Sequence, residues 1–512
     1  MPLNIGTNKT IARNTLLLYF RMLLTMGVAL YTSRVILQIL GVDDFGIYEA
    51  VGGIVSFLSF LNSALASGSS RFLSYELGKG GDIRMERNFS TILHIHIVLA
   101  IIIALVAETV GMYFLNNELN IPLDRMGAAT VVFHLSILTA VLSITQVPYT
   151  ASIISHEKMD VFAYFSVIDV VLKLVIVFAL VWSNDDRLIL YAILMFLVQI
   201  GMTLTYRIYC IKHYKETHFH LICDKDILKQ ILGYSVWNIL TNITLALKNQ
   251  GVILLISMFF SPAIVVSRAV ANRVNMAALQ FANNFRIAAN PQIIKRYAVG
   301  DMDGSKRLVK VSSIYSYYLM LLLSLPIILL AEPLLQLWLG QVPEYSVIFL
   351  QIALVSSLVT SMNDSFYTAL CAVGKLKFNS VACALVSICA IPAAYAMFKL
   401  GFSPVAVAVT VLVTDIIISI IIKPWAMVRG AGYTWGELML IFVKIGVVTI
   451  FSLPFSILAY LWLPKRLDNS LFANAMIVLV CVFNTITAVW FIGIDKITRK
   501  KLISFVKSKI SR

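Results

Sequence analysis

Apolar runs of about 20 residues follow one another along almost the whole chain, broken only by short polar segments. A run of that length crosses the roughly 30 Å hydrocarbon core of a bilayer as one helix, and lipid leaves the backbone no other way to satisfy its own polar groups within a single segment. Spans are predicted at roughly 15–36, 44–66, 89–114, 126–153, 160–182, 188–206, 231–258, 264–290, 309–331, 344–370, 378–398, 404–425, 438–462 and 471–494. The chain is therefore expected to be an all-α polytopic membrane protein with about fourteen transmembrane helices. Its 59% hydrophobic and 13% charged residues, with a mean hydropathy of +0.87, exclude a soluble globular class, where about 25% charged is usual. The first apolar run lacks the short core and small-residue cleavage site of a removable signal, so it is expected to stay in the protein.

The net charge of +15 would suggest nucleic acid in a soluble protein. Here the basic residues alternate by side. With the N-terminus inside, the inner segments hold 28 of the 41 Lys and Arg, among them Arg84, Lys212, Lys306, Lys377, Lys423 and Arg499, while the outer segments hold six. This asymmetry places both termini in the cytoplasm and removes the case for a nucleic-acid partner. The tail 496–512 reads as a basic segment at the anionic inner leaflet, with membrane lipids as its partner. Six scattered Cys show neither a disulfide framework nor metal-ligand spacing, so no metal site and no cofactor are indicated.

Sliding the chain against itself by 219 residues superimposes Gly81-Asp82 on Gly300-Asp301 and carries through six spans. Six is even, so the copies have the same orientation, a parallel repeat. The predicted organisation is an N-terminal lobe at 1–209, a cytoplasmic linker at 210–230, a C-terminal lobe at 231–430, two extra spans at 431–495 and the tail.

The eighth span carries the strongest functional signal. Positions 268, 272, 275, 279, 283, 286 and 290 lie on one helical face, and only Leu279 among them is apolar. Three Arg, at 268, 273 and 286, would cost on the order of 8–10 kcal/mol at the bilayer centre, more than the span's apolar residues return. The face must meet protein or a water-filled cavity. Other ionisable residues within spans are Arg21, Glu49, Glu108, Asp169 with Lys173, Lys248, Asp364, Asp415 and Lys444. Asp169 and Lys173, at i,i+4, read as a self-neutralising pair. Glu108 and Lys444 lie near span ends, where snorkelling would satisfy them. Arg21 and Lys248, in the opening spans of the two copies, have no acid at helical spacing and read equally as cavity groups or as structural ion pairs.

Three stretches resemble a known family: Leu40–Tyr48 (LGVDDFGIY), Asn249–Leu255 (NQGVILL) with Met258–Pro262 (MFFSP), and Asn283–Lys295 (NNFRIAANPQIIK) followed by Tyr297–Asp301 (YAVGD). They are similar to the Wzx-type lipopolysaccharide and polysaccharide (O-antigen) flippases and, with them, to the multidrug/oligosaccharidyl-lipid/polysaccharide exporter superfamily, called MATE-like below. The resemblance implies two pseudo-symmetric six-helix lobes around a central cavity, two further C-terminal helices, alternating access in the bacterial inner membrane, and a polyprenyl-pyrophosphate-linked oligosaccharide as cargo. Polysaccharide-assembly proteins are implied partners. Arg21, Lys248, Arg268, Arg273 and Arg286 are the residues that could supply a basic cavity. Asn272, Asn275, Asn283 and Asn290 could meet sugar hydroxyls, and Glu49, Asp364 and Asp415 are candidate coupling residues.

The alternatives are an ion-coupled multidrug or cation exporter of the same superfamily, which would use those three acids, and a major-facilitator transporter, suggested by Gly78–Arg84. A membrane glycosyltransferase or polymerase would use an acidic pair such as Asp43-Asp44, but the outer loops are short for a catalytic domain. No G-x-x-x-x-G-K-[ST] occurs, and His213, His218 and His220 sit in a loop without fixed ligand geometry. The expectation is a transporter and not an enzyme.

Overall fold

The computed structural model describes residues 5–58, 69, 72–73, 77, 82–156, 158–182, 186–218, 220, 224–225, 227–229, 246–375, 377–466, 470–495, 499–500 and 504; within these helices the side chains of 5–22, 58, 82–84, 284, 287–288, 291, 295, 298 and 465–466 are not described. The end of the second expected span, the first half of the seventh and most of the basic tail lie outside the described residues.

The fold is all-helical, with no strand among the described residues. α1 (Ile5–Leu58) is two helices merged across Gly41, whose φ of 79° leaves the helical region, so the expected first and second spans meet there. α2 (Asp82–Val106) continues through a π-turn, Ala107–Gly111, into α3 (Met112–Asn117). α4 (Met126–Ser155), α5 (Met159–Val181) and α6 (Arg187–His213) follow. A second π-turn, Leu247–Gly251, leads into α7 (Val252–Phe259), and α8 (Pro262–Ala298) is the polar helix anticipated from sequence. The remaining helices are α9 (Met302–Leu329), α10 (Ala331–Leu339), α11 (Ser346–Ser361), α12 (Asp364–Val373), α13 (Lys377–Lys399), α14 (Val405–Ile417), α15 (Lys423–Gly430), α16 (Trp435–Arg466) and α17 (Ser470–Ala488). Among the described residues, eleven helical segments are long and apolar enough to cross a membrane. The other expected crossings are accounted for by the doubling of α1, the short apolar helix Leu247–Phe259 and the polar α8.

The 219-residue offset holds at the level of the backbone. Asp82, Met112, Met126, Met159 and Arg187 begin helices, and positions 219 further on fall within one residue of the starts at Met302, Ala331, Ser346, Lys377 and Val405. Short α10, unforeseen from sequence, is thus the counterpart of α3.

The chain forms two compact units, Met1–Ala269 and Val270–Arg512. In the first, aromatic and aliphatic side chains of α2, α4 and α6 make a continuous core that includes Phe89, Ile92, Ile144, Tyr149, Met202 and Tyr206. Segment 210–230, expected as a linker, is tied to this unit where it is described. The backbone amides of His220 and Asp224 donate to Ser90 Oγ and Thr91 Oγ1 at 3.3 and 3.1 Å, and His156 Nε2 lies 2.6 Å from Glu216 Oε1. At the opposite loop end, Arg125 binds two carboxylates. Its Nε and Nη2 donate to Asp44 at 2.8 and 2.6 Å, and its Nη1 donates to Asp186 at 2.7 Å. Asp186 also caps α6 by accepting from Leu188 N at 3.1 Å. One guanidinium thereby ties the α1 kink to the starts of α4 and α6, and Asp44 is committed to it rather than offered as half of a metal-binding acidic pair.

In the second unit, Lys306 pairs with Glu437 at 3.4 Å, and Lys444 with Asp495 at 2.6 Å. Lys444 is thus satisfied by an ion pair in addition to its place near a span end, and Glu108 similarly lies 3.0 Å from His134 in the first unit.

Two outcomes follow. A Cβ on Gly46 would stand 2.2 Å from the carbonyl oxygen of Pro262, whereas one on Gly52 would meet nothing within 4 Å. Gly46→Ala is expected to destabilise by about 1–3 kcal/mol, read as a lower thermal midpoint, and Gly52→Ala to change little. Arg125 holds the Asp186 carboxyl below its ordinary range, chiefly through its hydrogen bond. Such a depression stabilises the fold above about pH 4 and is lost as pH falls through the lowered value. Arg125→Ala should therefore melt earlier at pH 7, by up to about 1 kcal/mol for so exposed a pair, and the gap to wild type should narrow as pH drops below 4.

Candidate functional site

α8 places its polar positions as the sequence spacing predicts, but it does not treat them alike. Arg268 and Asn275 are buried, and Asn272, Arg273, Asn283 and Asn290 are half-buried. Asn275 Oδ1 accepts from Ser357 Oγ of α11 at 2.8 Å, which fixes one turn of α8 against α11 within the second unit. Arg268 and Arg273 both have interaction partners. Arg286 is 9% exposed, and its Nη2 donates to Asn283 Oδ1 one turn earlier.

The structure brings Arg286 together with Asp364. Arg286 Nη1 lies 2.8 Å from Asp364 Oδ2, and Lys423 Nζ lies 3.5 Å from Asp364 Oδ1. Lys423 Nζ also donates to Asn363 Oδ1 at 3.1 Å, and Asn363 Nδ2 donates to the carbonyl of Ser419 at 2.6 Å. Two breaks in regular structure build this cluster. α11 ends at Ser361 and α12 starts at Asp364, so Asn363 and Asp364 stand at an interruption within a span. The π-turn Ile418–Ile422 joins α14 to α15 and carries Ser419, with Lys423 immediately after it. Asp364 stands nine residues before the end of α12, about 14 Å along the axis, within the candidate span Ser346–Val373. Lys423, counted from sequence with the inner-segment charges, belongs to this partly buried charge cluster. The signal that could have found it was the predicted span 404–425 itself, which already takes in the lysine.

Asp415 is buried and accepts from Ser356 Oγ, a contact between α14 and α11. Lys248 is half-buried in the π-turn Leu247–Gly251, and the side chain of Arg21 lies outside the described residues.

Glu49 is elsewhere, in the wall of a cavity of about 310 Å³ inside the first unit, with Ser136, Thr139, Ser143, Gln199 and Gln250. An adjoining cavity of about 390 Å³ shares Ser143 and Gln199 with it and is lined by Gln146, Tyr206 and the Asp169–Lys173 pair. That pair closes at 2.7 Å, as its spacing predicts. Gln146 Oε1 accepts from Gln199 Nε2 and Thr203 Oγ1 at 3.0 and 3.1 Å, bridging α4 and α6. Along α4 the two cavities are lined from Leu135 to Ile154, about 29 Å of helix. Gln146 and Gln199 were not singled out from sequence, because neutral amides carry no charge signal and their pairing is visible only once α4 and α6 are side by side.

No protein-family model matches the sequence, and no curated protein matches it. Solved structures do share the fold. Lipid II flippase MurJ in an inward closed conformation superposes with a TM-score of 0.69 at 13% identity, over 95% of this chain and 100% of that one. An inward-facing multidrug resistance MATE family transporter of the MOP superfamily gives 0.66 at 13% identity over 80% of this chain and 98% of its own. A MOP superfamily transporter from Pyrococcus furiosus, reported with a binding pocket of reversed polarity, gives 0.57 at 12% identity over 83% and 97%. At these identities the likeness establishes the fold, which is MATE-like and shared with MurJ.

The cavities in the first unit yield a direct expectation. A thiol is reactive as thiolate, which forms in water and not in lipid. In a variant without its native cysteines, Ser143→Cys should react with a small charged thiol reagent faster than Leu138→Cys on the exposed apolar face of the same helix. Equal rates would mean the cavity is not hydrated.

Proposed function

We propose that this chain is a transporter that moves a polyprenyl-pyrophosphate-linked oligosaccharide, an O-antigen or capsular repeat unit, from the inner to the outer leaflet of the bacterial inner membrane by alternating access. Both termini lie in the cytoplasm in this reading, following the Lys and Arg asymmetry. The observation that carries the proposal is the polar face of α8, where Arg268, Arg273 and Arg286 share a helix with Asn272, Asn275, Asn283 and Asn290. Guanidinium groups match phosphate oxygens with forked donors, and amides match sugar hydroxyls. The shared fold with a lipid II flippase over nearly the full chain supports the same reading. Lys248 and Arg21 add cations from the opening spans of the two copies, and Glu49, in the wall of the 310 Å³ cavity, is the candidate coupling group.

A multidrug or cation exporter is the second reading, favoured by the fold shared with MATE transporters. It needs carboxylates able to bind a cation. Asp364 is committed to Arg286 and Lys423, and Asp415 accepts a hydrogen bond from Ser356, so both acids are engaged within the protein. Neither reading uses a catalytic group, so we assign no enzymatic activity; polysaccharide-assembly proteins are the proposed partners.

Reconstitution tests the choice. Proteoliposomes should flip a defined polyprenyl-pyrophosphate oligosaccharide and should not export a panel of cationic drugs. At matched protein levels Arg268→Ala and Lys248→Ala should each lower flipping by roughly tenfold, the scale of one lost charged hydrogen bond. Drug export without lipid flipping, or losses that follow protein abundance alone, would overturn the proposal.

A further inference from the structure

The cluster at the α11–α12 interruption contains more positive than negative charge. Arg286 and Lys423 are both within 3.5 Å of one carboxylate, Asp364. Two cations and one anion leave a net charge of +1 inside the membrane-spanning part of the second unit, where an unbalanced charge is costly. The break in the helix adds to this, because the N-terminus of the ten-residue α12 presents the positive end of its dipole to the same place. The contact with Arg286 is also incomplete. Nη1 is buried and 2.8 Å from Asp364, yet it makes no well-directed hydrogen bond, and one turn further on Asn290 Oδ1 is buried without a partner. The exposures are unequal: 31% for the Asp364 side chain, against 11% for Arg286 and 14% for Lys423. The carboxylate is the outward member, and it covers two cations behind it.

We propose that Arg286, Lys423 and Asn363 form a diphosphate-binding subsite, and that Asp364 is its resident counter-anion, occupying the subsite from within the chain until a substrate phosphate displaces it. The inference rests on the transport of a pyrophosphate-linked lipid proposed above, and it assigns the residues that meet the diphosphate. A diphosphate brings more charge and more acceptor oxygens than a single carboxylate. It can use Arg286 Nη1, which has no aligned partner now, and Lys423 Nζ at once. Asn363 holds Lys423 in place through its Oδ1 and is itself anchored on Ser419. Competition by Asp364 weakens binding, and it also gives the cations a partner once the substrate leaves, so release does not strand two buried charges. Asp364 is in this sense a positioning residue whose removal should tighten binding and slow turnover.

Farnesyl pyrophosphate is a suitable soluble probe, titrated calorimetrically into the full chain in nanodiscs with farnesol as the uncharged control. Asp364→Asn should bind it about tenfold more tightly than wild type. Asp364→Glu should bind like wild type, and Arg286→Gln and Lys423→Gln should each lose about tenfold or more. In the flipping assay Asp364→Asn should lower both KM and kcat, a split that mere loss of a structural ion pair would not give. If Asp364→Asn is too unstable to purify, the comparison is made in the Lys423→Gln background, where removing the carboxylate leaves one cation rather than two. There the double variant should bind more tightly than Lys423→Gln alone. Unchanged or weaker binding on removal of the carboxylate, with Arg286→Gln and Lys423→Gln still impaired, would overturn the counter-anion role and leave the cation subsite standing. Wild-type affinity in Arg286→Gln and Lys423→Gln would overturn the subsite itself. Failure of the parent reading has a different signature, the absence of wild-type flipping in proteoliposomes.

Discussion

A charge placed in hydrocarbon must be matched within the protein, and most of the specific geometry in this chain answers that demand. Apolar side chains can face lipid almost anywhere, so they determine that helices form but hardly which helix lies beside which. The ionic and amide contacts supply the pairing. Arg125 gathers the α1 kink and the starts of α4 and α6, Gln146 and Gln199 join α4 to α6, Asn275 and Ser357 join α8 to α11, and Asp364 draws α8, α12 and α15 together. Each contact links elements distant in sequence, which is where apolar packing in a bilayer discriminates least.

The internal repeat separates scaffold from chemistry. The two copies begin their helices in register to within a residue, yet the polar groups do not correspond. At the 219-residue offset Asn363, Asp364 and Lys423 fall on Ile144, Thr145 and Leu204, while Asp169, Lys173 and Gln199 fall on Ile388, Pro392 and Ile418. The first copy concentrates neutral amides and a closed ion pair around two cavities, and the second concentrates unbalanced positive charge at a helix break. A duplicated backbone has acquired two different interiors by substitution.

Sequence reasoning recovered the helices and the repeat because both are written in local periodicity, and it recovered the polar face of α8 because seven positions share one phase. It also anticipated the Asp169–Lys173 pair, whose partners lie on one helix. It assigned Arg286 and Asp364 separately, one as an anion ligand and the other as a coupling acid, because nothing local connects residues 78 positions apart. Lys423 was hidden for a related reason: at the inner end of its predicted span it counts with the inner-segment charges, and nothing local connects it to Asn363, 60 positions away. α10 escaped notice because nine residues are too few to register as a span.

The π-turn Ile418–Ile422 has an evolutionary implication. A π-turn carries one residue more than the regular helix would, and each extra residue turns everything beyond it by about 100°. Lys423 follows directly, so its direction toward Asn363 and Asp364 is owed to chain length as much as to side-chain identity. Point substitutions along Ile418, Ile420 and Ile421 would leave that direction intact, whereas loss of any one codon there would rotate the lysine away from its partners with no charged residue altered. The charge cluster is thus protected against misspelling and vulnerable to miscounting.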